Sequence, residues 1–328
     1  MRSWAVLASI SVGASLALVF VQCGGDDHAS GGDDLALPDR VDIIDTGIID
    51  GAFTVDSSTG DAGPRCDRGK PFGTPVRLAE FDATTTRATP RLSADELTIY
   101  FTTLTEAGGV DLAMATRSST TMPFAGESIL PQSGPLNDHD PTVGADNLTL
   151  WFHSGRNGTA DIFLSTRSST AGEFGAAAPI ALNSDASNEN HAYYRAASGE
   201  LWFISDRLGS AGFDIYRSQR DGSAFATPSR VSELASDASD YQPQPSEDGL
   251  TILFSSDREG GMGSIDLYLA RRASVSVPFE PPVPLTELNT ATAEQAGWLS
   301  ADGCRIWFSS GRETNGVGQQ LFSAQRPR

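Results

Sequence analysis

Apolar and polar positions alternate in short runs from about residue 85 to the C-terminus, and the runs recur at a fixed interval. The segments L-T-I-Y-F, L-T-L-W-F, E-L-W-F, L-T-I-L-F and R-I-W-F close at Phe101, Phe152, Phe203, Phe254 and Phe308, with spacings of 51, 51, 51 and 54 residues. A second marker follows each: D-L-A at Asp111, D-I-F at Asp161, D-I-Y at Asp214 and D-L-Y at Asp266, with Gln320 before Leu321 in the fifth copy. A third marker is an aromatic residue ahead of each last run, at Phe124, Phe174, Phe225 and Phe279. Self-similarity of this kind is the mark of a repeat architecture. The runs are rich in β-branched and aromatic residues and are punctuated by Gly, Asp, Asn and Ser, which predicts strands joined by tight turns. No window sustains apolar residues at helical spacing.

Four short strands in a unit of about 40–50 residues is the arithmetic of a propeller blade. Trp151, Trp202 and Trp307 sit in second strands whose flanking positions are also apolar, which predicts burial of both faces between neighbouring blades. The fold class expected is all-β: a single five-bladed β-propeller of four-stranded antiparallel blades, with repeats over about 85–131, 137–182, 188–234, 240–288 and 293–326. The fifth copy stops after its third strand. The stretch K-P-F-G-T-P-V-R-L-A-E-F, residues 70–81, resembles the fourth-strand segments V-P-F-E-P-P-V-P-L-T-E-L and S-A-F-A-T-P-S-R-V-S-E-L. An N-terminal strand over 70–81 is therefore expected to complete the last blade, closing the ring and removing an exposed edge.

The units S-A-D-E-L-T-I-Y-F, S-E-D-G-L-T-I-L-F-S-S-D-R and S-A-D-G-C-R-I-W-F-S-S-G-R resemble the TolB-type, WD-like propeller repeat, over about residues 70–328. The resemblance implies the fold; such repeats occur both in interaction proteins and in accessory domains of enzymes, so it does not imply one activity.

Ahead of the ring, residues 1–23 have one early basic residue, Arg2, and an apolar run from Ala5 to Val21, the pattern of a secretory signal. Cys23 directly after that run resembles a bacterial lipobox, which implies lipidation of Cys23 and a cell-envelope location in the outer membrane, periplasm or cell surface; Gln22 departs from the small residue usual there. Residues 24–65 are rich in Gly, Asp and Ser and contain no lysine, so a disordered acidic tether is expected. The domain then runs over 66–328. The net charge of −19 argues against nucleic acid and against direct adhesion to anionic lipid. Of the three cysteines, Cys66 precedes the closing strand and Cys304 begins the second strand of the last blade. In an exported chain a Cys66–Cys304 disulfide is the expectation, locking the ring. The scarcity of ligands and the absence of C-x-x-C spacing argue against zinc, and no cofactor is expected.

The recurring aspartates read as turn residues that accept backbone N–H bonds rather than as metal ligands. Arg156, Arg207 and Arg258 precede Asp161, Asp214 and Asp266, which suggests an Arg–Asp clasp of the turn in each blade. Candidate site residues are those at the beginning of each first strand, because they approach the central channel and differ between blades: Arg87; His139 and Asp140; Glu189 and His191; Asp240 and Tyr241; Glu294 and Gln295. No catalytic residue is assigned, since G-x-S-x-G, H-E-x-x-H and phosphate-loop motifs are all absent. The leading expectation is a non-enzymatic, monomeric envelope lipoprotein whose ring is a platform for an envelope protein or a small polar or sugar ligand. The alternative is a carbohydrate-binding or glycoside-cleaving propeller with carboxylates converging at the channel mouth.

Overall fold

The computed structural model describes residues 66–105, 108–207, 212–222 and 224–328. The chain divides into two units, Met1–Gly60 and Asp61–Arg328. Of the first, a two-residue backbone ladder between Ile10–Ser11 and Leu16–Ala17 is described; the rest of the signal segment, Cys23 and the tether over 24–65 lie outside the described residues. Among the described residues no helix is long and apolar enough to cross a membrane.

The second unit is a five-bladed β-propeller. Blade 1 is built from Arg87–Leu92, Thr98–Leu104, Val110–Thr116 and Ala125–Ile129. Blade 2 has Asp138–Val143, Thr149–Ser154, Asp161–Thr166 and Ala178–Pro179. Blade 3 has Glu189–Arg195, Glu200–Ser205, Asp214–Asp221 and Ser229–Arg230, with Ala224–Phe225 folding back on the third strand. Blade 4 has Asp240–Pro245, Thr251–Ser256, Asp266–Arg271 and Val283–Pro284. Blade 5 has Glu294–Leu299, Arg305–Ser310 and Gln320–Gln325, and its fourth strand is Val76–Arg77 from the start of the ring.

Every buried apolar cluster straddles two adjacent blades. Trp202 and Ile204 of blade 3 pack with Phe254 and Tyr268 of blade 4, and Trp151 of blade 2 packs with Leu201 and Phe203 of blade 3. Trp307 and Leu321 of blade 5 join Ile99 and Phe101 of blade 1, so the seam between the last and first blades is filled like the others. Within blades 2 to 5 the second-strand phenylalanine faces an aromatic of the third strand, and the rings stack with centroids 5.6–6.0 Å apart.

The closing strand is shorter than the sequence suggests. Over 70–81 only Val76 and Arg77 form a ladder, opposite Ser323 and Phe322. Pro71 and Pro75 lack the N–H that would extend it. The flanking backbone still bonds to blade 5, through Gly73 N–H to Gln325 O at 2.9 Å and Leu78 N–H to Leu321 O at 2.9 Å. The fourth strands of blades 2 and 4 are equally short and proline-bearing, which blunts the outer rim against edge pairing.

Cys66 and Cys304 form the expected disulfide, with Cα atoms 5.6 Å apart and 238 residues between them in sequence. It fastens the chain just ahead of the two-residue closing strand to the blade which that strand completes. Reducing it, or replacing both cysteines by serine, is expected to lower unfolding stability by about 5 kcal/mol, the loop-closure value for a link of this span. Denaturant titration with and without reductant measures this; unchanged midpoints would mean that the seam holds without the link.

Candidate functional site

The five first strands line the central channel, and each carries a bulge, after its second residue in blades 1 to 4 and after its third in blade 5. The residue following the bulge's start has a left-handed backbone in four blades: Thr89 (φ 52°), Asp140 (φ 56°), His191 (φ 54°) and Gln242 (φ 47°). Such backbone is costly for residues other than glycine and is imposed here by the bulge. A stitch to the preceding blade holds most of these bulges. The backbone N–H of Asp140 donates to Thr102 Oγ1 at 2.9 Å, that of Ala296 to Ser255 Oγ at 2.7 Å and that of Thr89 to Ser309 Oγ at 3.3 Å. In blade 2 the corresponding place after the phenylalanine belongs to His153, whose Nδ1 lies 3.5 Å from the His191 N–H.

The bulge separates the candidate residues into two groups. Arg87, Glu189, Asp240 and Glu294 occupy the first position of their strands and are buried inside the blades rather than displayed at the mouth. Asp138 holds that position in blade 2. Four of these five are carboxylates, and each meets the arginine that follows the second strand of its own blade. Arg156 reaches Asp138 at 2.5 Å, Arg207 reaches Glu189 at 3.0 Å, Arg258 reaches Asp240 at 2.6 Å and Arg312 reaches Glu294 at 3.6 Å. The expected clasp from Arg156, Arg207 and Arg258 to Asp161, Asp214 and Asp266 is therefore not what forms. The cause is the serine two residues before each arginine. Its Oγ accepts from the arginine Nε at 2.9–3.1 Å, which aims the guanidinium inward across the blade. There it lies against the stacked aromatic pair, 4.8–5.3 Å from the ring centroids. Asp161 and Asp266 instead accept bonds from their own turns, Asp266 from the backbone N–H groups of Met262 and Gly263, while Asp214 pairs with Arg230.

Blade 1 reverses the charges. Arg87 sits where the others have an acid, and it binds Glu127 through Nε and Nη2 (3.0 and 2.9 Å) and Asp82 through Nη2 (2.8 Å). A second arginine clasp recurs at the end of the third strand, over the aromatic that precedes the fourth: Arg117 over Phe124, Arg167 over Phe174, Arg272 over Phe279 and Arg326 over Phe72, at 3.9–4.4 Å. The phase of these arginines in the repeat was the available signal for it.

What reaches the channel at its upper mouth, where the first strands begin, is a compact cluster from blades 2 to 4. Asp140 Oδ2 lies 3.1 Å from His191 Nδ1 and 3.3 Å from His153 Nδ1. His139 stacks on His153 with centroids 5.1 Å apart, His153 and His191 are 5.2 Å apart, and Tyr241 meets His191 edge-on at 6.3 Å. Gln295 is half-buried on the blade 5 side of this mouth. His153 escapes the repeat pattern; its signal is an imidazole where the other blades have Thr102, Ile204, Ser255 and Ser309. Burial alone would raise the Asp140 carboxyl, but the imidazoles around it, His191 foremost, hold it far below the carboxylate range. Burial pushes His153 down to about 3, against the pull of Asp140, and lowers His139 as well. Burial also pushes the Asp240 carboxyl up to about 6 in spite of Arg258. Among the described residues no three His, Cys, Asp or Glu side chains are grouped so as to hold a metal ion.

No protein-family model and no curated protein matches the chain. Solved structures resemble it in fold. An endo-arabinase from Bacteroides thetaiotaomicron shares 14% identity at a TM-score of 0.52, over 77% of this chain and 97% of that one. An α-L-arabinofuranosidase from Podospora anserina, in complex with cellotriose, shares 14% identity at 0.50, over 78% and 96%. TolB from Acinetobacter baumannii shares 16% identity at 0.45 over 75% of this chain, which spans 57% of that protein. At these identities the likeness is one of fold.

Two measurements test the site's wiring. Replacing Arg258 with methionine strands a buried carboxylate and is expected to cost about 3–5 kcal/mol in urea unfolding. Pairing it with Asp240→Asn should recover part of that loss, whereas pairing it with Asp266→Asn should be additive; the opposite pattern would restore the turn clasp. Unfolded histidine takes up a proton as pH falls through about 6.5, whereas His153 resists protonation until about 3. Its contribution is thus full above pH 6.5 and declines below it. Between pH 7.5 and 5.0 the wild type should lose about 2 kcal/mol more than His153→Gln, and equal losses would show that His153 protonates freely in the fold.

Proposed function

We propose that this protein is an exported, non-enzymatic binding platform of the cell envelope, anchored through Cys23, with the upper mouth as its contact surface. One observation carries the reading. The acids at the heads of the first strands, which a glycoside-cleaving site would need at the channel, are each clamped by an arginine of their own blade, or in blade 1 replaced by Arg87. General acid–base work on a glycosidic bond needs two carboxyl groups flanking the substrate in the open channel, and Asp240, though its carboxyl is pushed up to about 6, is fully buried against Arg258. At the mouth itself the carboxylate is Asp140, and three imidazoles hold it ionised. A surface of stacked imidazole rings and Tyr241 around one buried charge suits recognition: flat aromatic faces for a sugar ring or an apolar side chain, with polar edges that fix its orientation.

The Cys66–Cys304 disulfide supports an oxidising compartment, which agrees with the secretory pattern of residues 1–23. The glycosidase reading draws on the fold shared with an endo-arabinase and an α-L-arabinofuranosidase, and fold similarity at this level does not carry an activity.

Incubating the purified ring with arabinan, xylan and nitrophenyl arabinofuranoside and xyloside should release no product. Release that disappears in Asp140→Asn would replace this reading with the hydrolase one. Envelope extracts passed over the immobilised ring should yield a ligand or partner that a Tyr241→Ala, His139→Ala double variant fails to retain; equal retention by both would remove the upper mouth from the reading.

A further inference from the structure

The channel's lower mouth, where the first strands end, holds a cavity that the reading above does not use. All five blades line it, and the cavity volume is about 120 Å³. Arg91, Thr142, Tyr193, Gln244 and Trp298 stand at the same position of their five first strands, and all face this space. They differ as sharply from blade to blade as the residues of the upper mouth.

Arg91 is the anomaly among them. It is 1% exposed, yet no carboxylate among the described residues lies within ion-pair distance of it. One end of its guanidinium, Nη1, donates to the Gly297 carbonyl. Gly297 brings the blade 5 backbone close beneath blade 1: a Cβ there would stand 2.5 Å from the Pro90 carbonyl oxygen. The Nη1 bond therefore fixes how the guanidinium is turned. The remaining edge, Nε and Nη2, is buried without any partner. A buried, unsatisfied polar group costs roughly 1–3 kcal/mol and more when charged, so native structures rarely leave one. Burial pushes Arg91 down to about 10, which leaves it cationic at neutral pH. Thr142, from the neighbouring blade, lines the same cavity, and its Oγ1 is also buried without a partner.

The geometry of the orphaned edge selects the ligand. Nε and Nη2 present two parallel N–H groups, the arrangement that takes both oxygens of one carboxylate. The protein uses this same edge elsewhere, where Arg87 Nε and Nη2 hold the two oxygens of Glu127 at 3.0 and 2.9 Å. At Arg91 no side chain supplies the carboxylate. We infer that the lower cavity is a binding site for a small organic carboxylate, held side-on by Arg91 Nε and Nη2 with Thr142 Oγ1 as a third polar contact. Trp298 and Tyr193 wall the cavity, and they would cover the ligand's carbon skeleton. The Tyr193 hydroxyl is directed away to Glu247 at 3.2 Å. Glu96, also in the lining, is occupied by Arg305 and Arg117. The volume suits a molecule of about two to four carbon atoms, on the scale of about 30 Å³ for one water. This site lies at the opposite mouth from the imidazole cluster, whose Asp140 favours the charged form of Arg91 without pairing with it, and its test does not depend on what the upper mouth binds.

Calorimetric titration of the intact ring with acetate, lactate and the neutral isostere acetamide tests it. Acetate or lactate should bind, acetamide should not, and Thr142→Val should weaken the carboxylate by a few-fold while leaving folding intact. Arg91→Gln should weaken it by about tenfold or more, the loss expected for hydrogen bonds to a charged group. If Arg91→Gln fails to fold, proton NMR of wild-type Arg91 Nε–H answers in its place, since a bound carboxylate shifts that resonance and acetamide does not. Absence of binding by either acid, or equal binding by acetate and acetamide, would leave the orphaned edge to water and overturn the inference. So would carboxylate affinity that both variants retain.

Discussion

A blade of this ring has no solvent face. Its second and third strands carry large apolar groups on both sides, and every apolar cluster is shared between two blades. No blade can be stable until both neighbours are present, so the fold depends on closing the circle. The one place where the chain does not lead on is inside blade 5, between its third strand and the fourth strand taken from the start of the domain. The protein meets that constraint with a strand borrowed from the start of the domain, with the Trp307 seam and with the Cys66–Cys304 link.

Inside each blade the same economy of position recurs. A serine aims an arginine, the arginine lies along two stacked rings, and its far end meets the acid at the head of the first strand. In blades 2 to 5 this ties the inner, second and third strands at the upper end, while in blades 1, 2, 4 and 5 a second arginine over the outer aromatic ties the lower end. Blade 1 shows that the requirement is for an ion pair and not for one polarity: Arg87 stands in the acid's place and Glu127 and Asp82 supply the negative charge. With the scaffold charges consumed in this way, the residues left to differ are those beyond the bulge, and these form the two mouths of the channel.

The fold was legible because it is periodic. Phe101, Phe152, Phe203, Phe254 and Phe308 mark the second strands, the third-strand and aromatic markers hold phase with them, and the segment before residue 81 declares itself as the missing fourth strand. The site was legible only in part. Glu189, Asp240 and Glu294 are polar and adjacent to the channel in sequence, but the bulge turns the chain between the first and third residues of the strand and carries them inward. A bulge leaves no compositional trace when the residue in the left-handed conformation is Asp140 or His191 rather than glycine. The arginine partners were misassigned for a related reason: proximity in sequence favours Asp161, Asp214 and Asp266, whereas the serine that redirects each side chain acts through space. His153 stands where three of the other copies have a small hydroxyl side chain, and comparing copies at fixed phase exposes it.

The position of the disulfide has a mechanical consequence. A pull transmitted along the chain from residue 65 meets Cys66 before it meets any strand. The link hands that tension to Cys304, at the start of a central strand that hydrogen-bonds to a neighbour on each side. The frail Val76–Arg77 ladder is bypassed, and it would peel open first under such a tug if the cysteines were reduced. For a ring pulled at its leading end, the sulfur bridge acts as a strain relief: the loaded edge can be dragged without unzipping the circle.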